Sequence, residues 1–266
     1  MDLKELQKHW HQFGKQDPMW AILTWPDKKG NKWSVDEFFR HGRQEIDGVL
    51  EYVKGLGVDV QRGRALDFGC GIGRLTQAMA LHFNEVAGVD IAPSMIKQAT
   101  RYNRAGEKCT YYVNAREDLR LFADNSFDFI FTTIVLQHMR PSYALSYIKE
   151  FLRVLVPRGI LIFELPSDNL ATAPPPQSAF RPVLPQPPSQ GLGAKVRHLV
   201  KRVTPQSVLV LYRNVRYPVK QPIMEMYYTK RAEVERFLRD NGAQVLDVQE
   251  ERMQSWLSCR YCVTKS

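Results

Sequence analysis

The chain is poor in cysteine and has no long apolar run. Its four cysteines are Cys70, Cys109, Cys259 and Cys262. Such sparse use suits a reducing compartment and supplies no disulfide framework. No stretch approaches the ~18 apolar residues of a membrane span. Residues 1–10 carry acids and lack the apolar run of a signal peptide. These absences lead us to expect a cytoplasmic protein. Cys259 and Cys262 have C-x-x-C spacing, yet a structural zinc site usually needs two such pairs. They also fall in a predicted strand, where positions i and i+3 face opposite ways. We read the pair as coincidental and expect no metal.

Acid is missing from one long segment. Residues 169–224 hold Arg181, Lys195, Arg197, Lys201, Arg202, Arg213, Arg216 and Lys220, with no Asp or Glu. Eight of the nine net positive charges therefore lie there. The same region is rich in proline, with eight of sixteen prolines between Pro166 and Pro188. That part should be extended. Leu192, Val196, Leu199, Val200 and Val203 then fall on one helical face, with basic residues over the rest.

What is present is a core large enough for one sizeable domain, with 44% apolar residues in a chain of 266. Residues 1–13 read as an amphipathic helix through Leu3, Leu6, Trp10 and Phe13, followed by an irregular aromatic stretch over 14–33. Ser34 with Glu37 suggests a capping box opening a helix to about Lys54. Strands are expected at 64–68, 85–90, 109–113, 127–133 and 160–165. Helices are expected at 73–82, 95–104 (capped by Ser94) and 141–155. Alternation of this kind implies a parallel sheet with helices on both faces. A helix over 230–240 and strands over 243–250 and 256–264 complete the chain.

The sharpest signal is Ala65-Leu66-Asp67-Phe68-Gly69-Cys70-Gly71-Ile72-Gly73-Arg74, with Asp90 ending the next apolar run. It reads as strand, glycine turn, helix, strand, carboxylate, the plan of a nucleotide-type cofactor site. A dinucleotide fingerprint is G-x-G-x-x-G, whereas here the spacing is G-x-G-x-G. Asp67 beside the turn would repel a pyrophosphate laid on the helix N-terminus. It would welcome a cationic amino-acid end.

This run resembles motif I of the class I S-adenosylmethionine-dependent methyltransferases of the type 11-like family. The resemblance covers residues 62–165 well and the last 40 residues more loosely. It implies a Rossmann-like, doubly wound α/β sheet, mostly parallel, with an antiparallel final strand. It divides the chain into a helical lid over 1–61 and a methyltransferase domain over 62–266, interrupted by an insertion over 166–222. By the resemblance, S-adenosylmethionine is the cofactor. Asp67, Gly69, Cys70, Gly71 and Gly73 would surround its methionine portion. Asp90, followed by Ile91, would accept both ribose hydroxyls. The family often has an acid after strand three that bonds adenine. Here the zone is Asn114, Ala115 and Arg116, with Asp118 as an alternative turn residue.

Past strand four, Thr133, Ile134 and Val135 would line the reacting centre. His138 and Glu164 are candidate bases, each set against a plain packing or ion-paired role. Trp33, Phe38 and Phe39 either shield the sulfonium or fill the lid's core. Arg43 and Arg74 are candidates for the cofactor carboxylate. By analogy, Tyr227, Tyr228, Trp256 and Arg260 border the substrate mouth.

The basic insertion has three readings: a solvated cap, attraction to an anionic substrate or membrane surface through 192–212, or nucleic acid. No RNA-binding module is visible. No N-P-P-[YF] motif follows strand four, where Ile134-Val135-Leu136-Gln137 stands. The expected activity is methyl transfer to a small-molecule or lipid- or sugar-linked acceptor, with oxygen preferred. RNA methylation, a nicotinamide-dependent oxidoreductase and a non-catalytic binding module are the alternatives.

Overall fold

The computed structural model describes residues 1–169, 221–253 and 256–265. The Pro-rich stretch and the basic segment 192–212 lie outside the described residues. Residues 1–173 and 223–266 form one compact unit.

Seven strands form one sheet in the order β3-β2-β1-β4-β5-β7-β6. They are β1 Arg64–Phe68, β2 Glu85–Asp90, β3 Cys109–Val113, β4 Phe127–Thr132, β5 Leu155–Asn169, β6 Ala243–Met253 and β7 Trp256–Lys265. The pairs β1–β2, β1–β4, β2–β3 and β4–β5 are parallel. β7 runs antiparallel between β5 and β6. The mostly parallel Rossmann-like sheet with an antiparallel end is thus the fold. The strand order reverses between β1 and β4. At such a switch point the loops beyond the strand ends diverge and leave a crevice for a ligand.

Among the described residues the helices are α1 Leu3–Gln16, α2 Pro18–Ile22, α3 Val35–Gly55, α4 Arg74–Met79, α5 Pro93–Tyr102, α6 Pro141–Val154 and α7 Arg231–Asp240. They cover both faces of the sheet, so β4 is apolar on both sides. Phe127 and Ile130 enter one core, while Phe129 and Phe131 enter the other. All four are fully buried. Each such side chain contributes about 1.5–3 kcal/mol of transfer free energy. Cys259 and Cys262 follow the same rule. They lie in opposite cores, both buried and both free thiols.

Two expected caps are corrected. Ser34 stands before α3 but makes no side-chain capping bond. Glu37, its expected partner, is held by Lys28 Nζ at 2.7 and 2.8 Å. The capping box sits instead at α1. Asp2 Oδ1 accepts the Glu5 amide at 2.8 Å, and Glu5 Oε2 accepts the Asp2 amide at 3.3 Å. Ser94 lies inside α5, which starts at Pro93 after Ala92. Its hydroxyl donates to the His11 carbonyl at 2.8 Å and ties α1 to α5.

One helix is additional and several boundaries moved, with α4 ending at Met79 rather than at 82. α2 forms in the stretch expected to be irregular, where Pro18 at its start supplies a helix-ready φ. β5 is longer than expected because it continues through Pro157-Arg158-Gly159, with Arg158 at φ 62°. The backbone then leaves β5 and returns at 221–230. The Thr229 amide donates to the Pro166 carbonyl at 2.9 Å, and the Tyr227 amide to Gln137 at 2.7 Å. Among the described residues, no helix is long and apolar enough to cross a membrane.

Candidate cofactor and active site

β1 delivers the chain into a turn of three glycines. Gly69, Gly71 and Gly73 have φ of 77°, 53° and 83°. This left-handed region strains any residue with a Cβ. The turn is also crowded. A Cβ on Gly69 would lie 2.2 Å from Val135 Cγ2, and one on Gly71 would lie 2.5 Å from Ile22 Cδ1. The amides of Gly69 and Cys70 both donate to the Val89 carbonyl, at 2.7 and 2.9 Å, which ties the turn to β2.

Asp90 ends β2 beside that turn. Its Oδ2 accepts the Gly71 amide at 2.9 Å and its Oδ1 accepts the Ala92 amide at 2.7 Å. Burial pushes its carboxyl up to about 6, while the backbone amides of Ala92, Gly71 and Ile91 pull the other way. An ionised carboxylate has about four lone-pair sites. The Gly71 and Ala92 amides take two, leaving two on an oriented group.

Above these elements lies a narrow cleft of about 80 Å³. Gly69, Cys70, Gly71, Asp90 and Ile91 form its floor. Asn114 stands on one side, with Thr133, Ile134 and His138 on the other. Ile134 is β-branched and has φ 59°, a strained conformation of the sort that clusters at functional sites. Leu6 and Trp10 of α1 and Ile22 of α2 close the cleft from above.

Several expected residues stand elsewhere. Asp67 is 1% exposed and lies beneath the turn, where its Oδ2 accepts the Thr76 hydroxyl at 2.6 Å. Burial raises it to about 7, against that hydrogen bond and the charge of Arg74. Gly73 faces Tyr111, whose hydroxyl would meet an added Cβ at 2.5 Å. Ala115 and Arg116 are not among the cleft-lining residues. The Arg116 carbonyl instead accepts the Tyr147 hydroxyl. Asn114 folds onto its own loop through Asp118 (2.8 Å), while still lining the cleft.

Glu164 is ion-paired and does not line the cleft. Arg260 Nη2 lies 2.6 Å from its Oε1, and the Thr133 hydroxyl donates to its Oε2 at 2.6 Å. The ion-paired reading replaces the base. Trp33 and Phe38 pack edge to face, with Phe39 beside them, in a core shared with Ile72, Ala92 and Met95, which leaves them as filling between the lid and the sheet. Arg43 is exposed and outside the cleft.

His138 is buried in the cleft wall. Its Nδ1 lies 2.8 Å from the Glu225 carbonyl, so Nδ1 carries the proton and Nε2 is an acceptor, with Gln137 Nε2 3.5 Å away from it. Burial lowers its pKa to about 4, partly opposed by that carbonyl. Arg74 lines the cleft with its side chain 3% exposed. Glu45 takes its Nη1 at 2.6 Å, while its buried Nε has no partner among the described residues.

Leu6, Trp10 and Ile22 were not anticipated as cleft residues. Leu6 and Trp10 sit four apart on the apolar stripe of α1, which was the available signal. Among the described residues, no three His, Cys, Asp or Glu side chains gather as a metal site.

The arrangement offers an oriented carboxylate for a diol, a partly unpaired guanidinium for an anion and a neutral imidazole acceptor within one cleft. Residues 66–163 match the family described as "Methyltransferase domain". A ubiquinone biosynthesis O-methyltransferase of Xanthomonas oryzae pv. oryzae is 33% identical over 113 residues, 42% of this chain and 46% of that protein. Thiocyanate methyltransferase 1 of Brassica oleracea is 34% identical over 101 residues, 38% of this chain and 45% of that protein. The chain thus spans about half the length of the curated relatives it matches. In structure it resembles magnesium protoporphyrin IX methyltransferase from Synechocystis PCC 6803 with bound SAH. The TM-score is 0.60 at 18% identity, and both chains are fully covered. A putative S-adenosylmethionine-dependent methyltransferase from Listeria monocytogenes gives 0.53 at 17%, covering 83% of this chain and 99% of that one.

Proposed function

We propose that this chain, whose residues 66–163 carry a class I methyltransferase domain, transfers a methyl group from S-adenosylmethionine to a hydroxyl of a small acceptor. The observation that carries the reading is Asp90: a cleft-lining carboxylate, pinned through one lone pair on each oxygen, with two left for a vicinal diol. The partnerless Nε of Arg74 fits the carboxylate of an amino-acid moiety. A pyrophosphate suits this floor poorly, because Asp90 stands in it and Asp67 lies just beneath.

When bound, S-adenosylmethionine supplies a methyl already activated on a sulfonium. The protein's part is then to hold the acceptor in line and exclude water. Leu6, Trp10 and Ile22 provide the exclusion. His138 Nε2 takes the proton that the acceptor hydroxyl loses, and the resulting imidazolium donates from Nδ1 to the Glu225 carbonyl. A base that titrates near 4 is weak towards a free hydroxyl. It serves once methylation has begun and the oxygen has become acidic.

Oxygen as acceptor is supported by the partial likeness to the ubiquinone-pathway O-methyltransferase. The apolar cleft wall suits an aromatic or lipid-linked acceptor. The basic run in 181–220, which lacks acid, is proposed to attract such an acceptor's anionic group or the membrane surface that carries it.

Calorimetry with S-adenosylmethionine and its demethylated product, S-adenosylhomocysteine, tests the core of the reading. Binding of both, followed by methyl transfer to a panel of phenols and catechols, supports it. A folded protein that binds neither ends it.

A further inference from the structure

Thr133, Glu164 and Arg260 lie side by side across three strands. Glu164 is opposite Arg260 in the β5–β7 register. Thr132 is opposite Phe163 in the β4–β5 register, so Thr133 follows beside Glu164. Arg260 donates to Oε1 of Glu164 from Nε at 2.7 Å and from Nη2 at 2.6 Å. The second oxygen, Oε2, accepts the Thr133 hydroxyl at 2.6 Å. With both its oxygens engaged, the Glu164 carboxylate is fixed in orientation.

A threonine hydroxyl has one proton and two lone pairs, and it ordinarily rotates to suit its neighbours. Here the proton is committed to Glu164. Thr133 lines the cleft, so it offers the cleft only lone pairs. It accepts there and does not donate.

We propose that Glu164 and Arg260 are positioning residues that hold Thr133 as a fixed acceptor for the cofactor's α-ammonium group. The inference rests on the cofactor reading above. Strand order supplies the reason for the ammonium. Asp90 ends β2 and Asn114 follows β3, so ribose and base occupy that half of the sheet edge. The amino-acid end extends the other way, over β1 and β4, where Thr133 stands. An ammonium has three donors and no acceptor. It is matched by a group that can only accept, and mismatched by a hydroxyl that can turn its proton inward. Glu164 and Arg260 carry opposite charges, so the pair sets this polarity without placing a net charge beside the sulfonium.

The test measures dissociation constants for S-adenosylhomocysteine and for its analogue lacking the α-amino group. The proteins are the wild type, Thr133→Val, Thr133→Ser and Glu164→Gln. In Glu164→Gln, Arg260 keeps the amide oxygen, so the amide nitrogen faces Thr133. The hydroxyl must then accept from it and turn its own proton to the cleft. The wild type should prefer the amino-bearing ligand by about tenfold or more, the range of a hydrogen bond to a charged group. Thr133→Val and Glu164→Gln should lose most of that preference, and Thr133→Ser should keep it. The deaminated analogue should bind all four proteins alike, which reports an intact cleft. A preference unchanged in Thr133→Val and Glu164→Gln overturns the proposal, as does equal weakening towards both ligands. A wild type that binds neither ligand instead overturns the cofactor reading.

Discussion

The Gly71 amide donates to Asp90 Oδ2 at 2.9 Å, so the glycine turn and the end of β2 are one hydrogen-bonded unit. The carboxylate proposed to take the ligand's diol thus also holds the glycine turn. Replacement of Asp90 therefore has two consequences. Asp90→Ala should abolish measurable binding of S-adenosylhomocysteine in calorimetry. It should also lower the melting temperature, because the Gly71 and Ala92 amides lose their partners. Each buried unsatisfied group costs about 1–3 kcal/mol.

The turn glycines should differ in how they can be rescued. Gly71→Ala meets the tip of one side chain, Ile22 Cδ1 at 2.5 Å. Gly69→Ala meets the branched Val135 at 2.2, 2.7 and 3.0 Å. Both also carry the strain of positive φ. Pairing Gly71→Ala with Ile22→Ala should recover part of the lost stability in a double-mutant cycle. Pairing Gly69→Ala with Ile22→Ala should recover none. Thermal melts of the single and double variants decide this.

Stability should fall as pH rises from acid to neutral, to the extent set by two buried carboxyls. Asp67 sits at about 7 and Asp90 at about 6, both above the ordinary 3.8. Between those values the folded chain binds more protons than the unfolded one. Their contribution is full below about 3.8 and is lost through 6 to 7. Asp67→Asn removes one ionisation, so it should stabilise the ligand-free protein at pH 8 relative to pH 5. Melting curves at both values, without ligand, check the sign.

His138 should impose no inflection on turnover between pH 6 and 9. With its pKa near 4, the imidazole is neutral throughout that range. His138→Asn can keep the donor to the Glu225 carbonyl while removing the Nε2 acceptor. It should lower kcat about 10²–10⁴-fold and leave the cofactor dissociation constant unchanged. An unchanged kcat would return His138 to a packing role against Trp10, whose ring centroid lies 5.2 Å from it.

The sheet was legible because parallel strands buried on both faces read as short apolar runs between turns. The run Phe127–Thr132 is the clearest case. The glycine turn and Asp90 were legible because their chemistry is local. α2 was not, because five residues are too few to show a helical period. The start of β5 was hidden by Pro157 and Gly159, which read as a turn while the strand runs through them. Glu164 stayed open between base and ion pair because its partner, Arg260, is distant in sequence and adjacent only once the hairpin register is fixed. Asp67 was expected against the ligand, yet one side of β1 faces the cleft and the other faces the core under α4. The two sides are chemically alike in the sequence.

The hydrogen bond between the Thr229 amide and the Pro166 carbonyl gives the domain a fixed stem at the point where its insertion leaves and returns. Both anchors belong to the same compact unit as the sheet. Heritable change in that segment can lengthen it, shorten it or recompose it while the floor formed by Gly71 and Asp90 stays as it is. A lineage can then diversify one end of the domain without rebuilding the other.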